Sequence, residues 1–262
     1  MSTPPDGDTS YARTPRTTPT RYKDRASWER EAIHAILDAT YLCHLGFVVD
    51  GAPVVLPTIH ARVGDRLYVH GSTGSRPLRG ARGEEGLPVC LTVTLVDALV
   101  LTKSAFNHSV NFRSVVAHGT AHQVTDPEEL RVALDALVDQ VVPGRSAEVR
   151  PANAKELAAT AVIRLDLDEV SAKTRADLAD DDAEDLDLPY WAGLVPVTTG
   201  YGAPVPDAST TVPLPANLRA LTGPGHDPGD PDTDPGTDPG TDRSHDIPTT
   251  PDAAAHRSAP TA

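Results

Sequence analysis

Apolar side chains recur along this chain in two rhythms. Between residues 27 and 39, Trp28, Ile33, Ile36 and Leu37 fall at helical spacing. Glu29 and Glu31 sit in the first turn and Ser27 stands where a cap would, so a helix is predicted over Ser27–Ala39. From residue 40 the rhythm changes to runs of β-branched and aromatic residues broken by turn pairs. TYLCHLGFVV (40–49) leads through Asp50–Gly51, a two-residue hairpin signal, into PVVLPTIHARV (53–63). Gly64–Asp65 turns the chain again into RLYVH (66–70). Gly71–Ser72–Thr73–Gly74 breaks that strand, and a short helix over 75–82 opens with Ser75 as cap and Pro77 in its first turn. LPVCLTVTLV (87–96) follows, then a turn at Asp97–Ala98 into LVLTKS (99–104). A loop leads to the long strand NFRSVVAHGTAHQV (111–124), in which Gly119 marks a bulge or bend.

The second half of the pattern has one strong helix. Asp126 caps it, Pro127 takes its first position and Glu129 completes a capping box. Leu130, Leu134, Leu137, Val138 and Val141 form its apolar face, and Pro143–Gly144 ends it. A short helix in NAKELAAT and a strand AVIRLDLDEV (161–170) follow, and SAKTR (171–175) and LPYWAGLVPV (188–197) read as structured. Short turns between most strands predict a mainly β fold with helical additions, an antiparallel closed barrel. A doubly wound parallel sheet would need a helix between most of its strands.

Composition separates this folded part from its ends. Residues 1–20 are rich in Pro, Thr and Ser and predict a disordered arm. Residues 207–262 predict a disordered tail around an Asp-Pro-Gly-Thr repeat, leaving one domain over 21–206. The formal charge is −14, but residues 177–187 hold seven acids and no base, and the tail holds nine Asp against three Arg. About −1 remains for everything else, so the folded part carries no electrostatic footprint for nucleic acid. No apolar run reaches membrane-spanning length and no signal-peptide region opens the chain, so a cytoplasmic protein is expected. Cys43 and Cys90 lie in apolar runs and are expected to be buried thiols.

The candidate chemistry gathers at residues 66–83. Strand, hydroxyl- and glycine-rich loop, helix start and the two arginines Arg76 and Arg79 together make an anion cradle, with loop amides and a guanidinium aimed at one spot. It is neither a Walker loop nor a GxGxxG fingerprint. His34, His44, His108, His118 and His122 are scattered without metal-ligand spacing, which favours structural roles.

The order of LYVHGSTGSRPLRG, VNFRSVVAHGTA, IRLDLDEVSAK and YWAG resembles the pyridoxamine 5′-phosphate oxidase-like flavin-nucleotide-binding proteins, over about residues 22–198. Within them it is most similar to the branch containing the 5-nitroimidazole resistance proteins. The resemblance implies a split β-barrel that forms a homodimer, with FMN in grooves between subunits. It implies that Gly71, Ser75 and Arg76 hold the flavin phosphate and that Arg113 and Ser114 lie near the cofactor, with Phe112 in place of the family's Tyr. Thr58 and His60 would pass along the isoalloxazine edge, His70 would stand beside flavin and substrate as the catalytic candidate, and Trp191 and Gly193 would close the pocket. Asn111 and Arg113 share a strand face while Ser114 takes the other, so joint contact by Arg113 and Ser114 needs a twist or bulge. The basic residues that serve a vitamer phosphate have no counterpart, so pyridoxamine phosphate oxidation is not expected. The resemblance implies an FMN-dependent oxidoreductase acting on a small organic molecule such as a nitro compound or quinone. A deazaflavin-dependent reductase, or a flavin- or haem-binding module without turnover, are its alternatives.

Overall fold

The computed structural model describes residues 9–222. After the first stretch come β1 (Ala26–Ser27), α1 (Arg30–Asp38), β2 (Leu42–Val49), β3 (Ala52–Val63), β4 (Arg66–Ser72) and α2 (Arg76–Gly80). Next are β5 (Leu87–Leu101), β6 (Ser109–Gln123), α3 (Pro127–Val141) and α4 (Ala154–Ala159). The chain then forms β7 (Thr160–Asp166), β8 (Glu169–Arg175), β9 (Gly193–Pro196) and α5 (Ala216–Thr222). All pairings are antiparallel. Strands β6, β7, β4, β3, β2 and β5 close into a ring, because β5 also pairs with β6. β8 and β1 extend from β6, and β9 extends from β5.

The hairpins follow the local chemistry. Asp50 and Gly51 both take positive φ, 51° and 77°, the backbone that a two-residue turn between twisted strands requires. Asp97–Ala98 cannot do this. Instead of the expected turn, β5 runs on through a register shift between Val96 and Ala98. Asp97 there reaches across to Arg113 on β6. The predicted strand 161–170 is two strands, β7 and β8, divided at Leu167–Asp168. Gly119 is needed for a close approach: a Cβ there would lie 2.7 Å from Leu165 Cδ1. At that point β6 leaves β8, with which it pairs up to His118, and meets β7 at His122 and Gln123.

Inward-facing side chains alternate along the strands: Cys43, Leu45 and Phe47; Leu67 and Val69; Val89, Leu91 and Val93; Val115 and Ala117. α1 adds Ile33, Ile36 and Leu37 to the same cluster. It starts later than predicted because Ser27 pairs with Ala172 in the sheet. Cys43 and Cys90 are free thiols, and burial pushes Cys43 up to about 12.

Residues 9–20, expected in a disordered arm, are instead part of this fold. Tyr11 donates its amide to Trp28 O (2.8 Å), and Trp28 Nε1 donates to Thr17 Oγ1 (3.1 Å). Tyr11 is only 4 % exposed and its hydroxyl donates to Asp65 Oδ1 (2.6 Å). The Arg30 guanidinium, 4.1 Å from the Tyr11 ring, binds the same carboxylate at 2.6 Å. Burial works against Asp65 ionising, but Tyr11 and Arg30 hold its carboxyl below the usual range. Composition hid this anchor, since a single buried aromatic does not change a Pro/Thr-rich average. Residues 207–222, expected within the tail, also have described structure, whereas residues 1–8 and the Asp-Pro-Gly-Thr repeat lie outside the described residues. Tyr11→Ala is expected to cost about 3 kcal/mol, read as a lower urea midpoint. An unchanged midpoint would show the arm to be dispensable.

Candidate functional site

Strand β4 presents two different faces. Leu67 and Val69 point into the barrel, while Tyr68 and His70 point out, beneath α3. The outer face continues across the sheet through Ala61 on β3 and through Arg164, Val162 and Thr160 on β7. The first half of α3 is closed down on it, with Leu130, Ala133 and Leu134 against Tyr68 and Val162. The second half stands off. Leu134, Leu137, Val138 and Val141 face a cavity of about 770 Å³, walled opposite by His70 and Ile59 and beside them by Leu157. That volume is in the range of small-molecule and cofactor sites, roughly 300–1,000 Å³.

Among the described residues, His70 is the only histidine, cysteine, methionine or tyrosine lining this cavity, and its ring has no hydrogen-bond partner there. Apart from Arg145, whose guanidinium lies 3.4 Å from Glu148, the other charged groups are closely engaged. Arg131 holds Glu128 (2.7 Å) and Asp135 (2.9 Å), and Arg150 holds Glu156 through bonds of 2.5 and 2.8 Å.

The loop after His70 differs from the amide cradle the sequence predicted. Thr73 N–H donates to Ala159 O, Gly74 N–H to Ser72 Oγ and Ser75 N–H to Ser72 O, so the loop spends these amides on the chain itself. Arg82 braces it through Thr73 O (2.8 Å). Gly71 has a packing role: a Cβ there would lie 3.3 Å from Leu78 Cδ2, the contact that seats α2 on the barrel. Ser75 stands at the N-cap without capping. Its hydroxyl is buried and has no partner among the described residues, a costly arrangement unless something else binds it. Arg76 and Arg79 are exposed and unpaired among the described residues. An orphaned hydroxyl beside two free guanidiniums fits a phosphate better than the loop amides do.

The remaining candidates lie elsewhere. Thr58 sits opposite Cys43 and His60 opposite Val69, both on the inner face of β3, so the residue of that strand facing the cavity is Ile59. His60 is fully buried: its Nδ1 lies 3.2 Å from Tyr41 O and its Nε2 3.1 Å from Leu37 O. These two contacts join α1 to the barrel, a structural role for His60 within the chain. Arg113 is held bidentately by Asp97 through bonds of 2.7–3.2 Å, and its guanidinium keeps Asp97 below the usual carboxylate range. Ser114 faces the other way, donating to Lys173 O (3.2 Å) beside a small pocket under residues 16–19. Trp191 is 64 % exposed, with its ring over Gly193 on β9. Within one chain, then, only His70 and the 71–76 loop come together. Ile59 and the far half of α3 were missed, although the helix's apolar stripe was legible and only its unfilled half was not.

The family model for pyridoxamine 5′-phosphate oxidase matches residues 29–174, more than half of the chain. The chain belongs to the pyridoxamine 5′-phosphate oxidase family. Among solved structures, the flavocytochrome Anf3 from Azotobacter vinelandii is 40 % identical, with a TM-score of 0.73, covering 80 % of this chain and 98 % of that one. An FAD- and haem-binding protein from Mycobacterium smegmatis is 41 % identical, with a TM-score of 0.71 and coverages of 76 % and 98 %. A 5-nitroimidazole resistance protein homologue from Bacteroides thetaiotaomicron is 21 % identical, with a TM-score of 0.47 and coverages of 56 % and 85 %, too weak a likeness to build on. No curated protein matches the chain.

The role of His60 has a pH signature. Burial pushes its imidazole down from the ordinary range, partly offset by the Leu37 and Tyr41 carbonyls. Unfolded, it takes a proton near pH 6.5; folded, only at lower pH. Between those values the unfolded chain holds more protons, so this stability is complete above about pH 6.5 and shrinks as the pH falls, by up to about 1.4 kcal/mol per pH unit. His34 and His118 are shifted the same way. His60→Gln is expected to unfold more easily at pH 7 and to show a shallower loss between pH 7 and 5, with its cofactor content unchanged. Loss of cofactor from the folded variant would restore His60 to the site.

Proposed function

We propose that this protein is a flavocytochrome-like redox protein that holds a flavin nucleotide by the 71–76 loop and a haem in the cavity beneath α3. The observation that carries the reading is His70, the one possible haem ligand on the wall of an apolar cavity, in a chain 40 % identical to a flavocytochrome. The FAD named for the 41 % identical relative makes FAD the favoured flavin over the FMN implied by the wider family.

The residues fit both groups. For haem, His70 offers a free ring nitrogen, and Leu134, Leu137, Val138 and Val141 supply apolar walls that exclude water. For the flavin, Arg76 and Arg79 offer unpaired cations and Ser75 an unpartnered hydroxyl. Bound haem supplies one-electron chemistry and bound flavin one- or two-electron chemistry. The chain's own part is positional. His70 and Gly71 are consecutive on β4, so one rigid strand would set the spacing between the two anchors.

A flavin-only reductase is the second reading, favoured by the same adjacency: with the phosphate at Ser75–Arg76, the cavity could take the isoalloxazine and leave His70 beside it. A nitro compound or quinone would then be the acceptor. A homodimer belongs to either reading. It is supported by Leu42, Val48 and Val55, which share one outer face of β2–β3 and are 46 %, 60 % and 64 % exposed. Light scattering should give the mass of two chains; a cofactor-loaded single chain would count against the dimer.

The two anchors separate by mutation. His70→Ala is expected to fold, keep its flavin and lose the intense Soret band of haem. Arg76→Ala should keep the haem and bind flavin nucleotide thirty- to a thousand-fold more weakly, for a charge-assisted contact of about 2–4 kcal/mol. Riboflavin, lacking the phosphate, should bind wild type and Arg76→Ala alike. Flavin without haem in the wild type would favour the reductase reading, and an intact Soret band in His70→Ala would remove His70 as the ligand.

A further inference from the structure

We infer that a second cavity, beside the one His70 faces, binds an apolar molecule carrying a single carboxylate. This cavity of about 460 Å³ is built from residues 204–218 and Arg145. Its walls are apolar, chiefly Val205, Pro206, Val212, Leu214 and Leu218. Pro204, Pro206, Pro213 and Pro215 fix the backbone angle φ at four positions, so the wall is set with little loss of chain entropy. Internal bonds hold its shape: Thr210 N–H donates to Asp207 O (2.9 Å) and Arg219 Nη2 to Leu214 O (2.6 Å). Val205 and Val212 nevertheless remain 91 % and 68 % exposed, apolar surface that this segment holds up without covering.

The charges on the wall decide the ligand class. Among the described residues, two charged side chains line the cavity, Arg145 and Asp207. Asp207 is spent locally, accepting from Ser209 N–H (2.8 Å) and Ser209 Oγ (2.5 Å). Arg145 is held loosely, with its guanidinium 3.4 Å from Glu148, against 2.5–2.9 Å for the pairs of Arg131 and Arg150. One available guanidinium in an apolar wall matches one carboxylate, whose two oxygens its planar fork can bind together. A phosphate dianion would ask for more positive charge than the wall offers. Arg145 also lines the first cavity, so the two spaces share this side chain. An apolar carboxylate bound here would be one side chain from the proposed cofactor, as a substrate would be. The site does not depend on that reading, and its test involves no cofactor chemistry.

The probes are 1-naphthoate and its uncharged counterpart 1-naphthalenemethanol, titrated calorimetrically into the full chain. Wild type is expected to bind the carboxylate at least tenfold more tightly than the alcohol. Arg145→Gln should abolish that preference and leave the alcohol's affinity unchanged. Val212→Asp, a change at an exposed position that leaves the barrel untouched, should weaken naphthoate at least tenfold. Equal binding of the two probes, or naphthoate affinity within twofold of wild type in Arg145→Gln, would overturn the inference. So would loss of naphthoate binding in Val138→Asp but not in Val212→Asp, since that would put the probe in the first cavity.

Discussion

The alternation of side chains along β4 is the constraint on which the rest depends. One strand must close the barrel with Leu67 and Val69 and, with Tyr68 and His70, floor the space beneath α3. A shift of one residue would exchange the two sets, burying an imidazole in the core and exposing two core side chains. The register is pinned on both sides, by β3 from His60 to Val63 and by β7 from Thr160 to Asp166. The cavity is therefore a product of the barrel's own pairing. α3 completes it because its apolar stripe is longer than the surface it can cover: the first half is satisfied by Tyr68, Val124 and Val162, and the second is left facing open space.

Around that frame the chain uses polar contacts as fasteners. Asp65, in the turn between β3 and β4, gathers Tyr11, Arg30 and His34 and so ties the first described residues to α1 and the barrel. At the end of β4 near that turn, Glu129 on α3 accepts from Tyr68 and pairs with Arg66 and Arg164, fixing where the helix crosses the sheet. His60 and Gln140 both reach the Leu37 carbonyl at the end of α1, one from the barrel and one from α3. Each bond is modest alone, about 1 kcal/mol. Together they fix α1 and α3, and with α3 the height of the cavity.

Much of this was legible in the sequence, for local reasons. Asp50–Gly51 had to be a hairpin and Asp126–Pro127 a helix start, because few other conformations suit those residues. The family and the barrel were readable from four short segments in order. What was not legible depends on partners distant in sequence. Nothing local shows that Asp97 will pair with Arg113 and replace a predicted turn by a bulge, or that Tyr11 will find Asp65. The inward parity of Thr58 and His60 is set by pairing with Cys43 and Val69, and the cavity-facing position on that strand belongs to Ile59. The sequence read the 71–76 loop as an amide cradle, but its amides are consumed internally, and the side chains of Ser75, Arg76 and Arg79 are what remain to offer.

The central claim is that β4 and the loop after it hold two redox groups side by side. Its most direct test is the absorption spectrum of the full chain, expressed with haem and flavin precursors supplied, followed during anaerobic titration with dithionite. The account requires two chromophores in comparable amounts, a Soret band that shifts on reduction and flavin absorption that bleaches. A spectrum holding flavin alone, or neither chromophore, would contradict it.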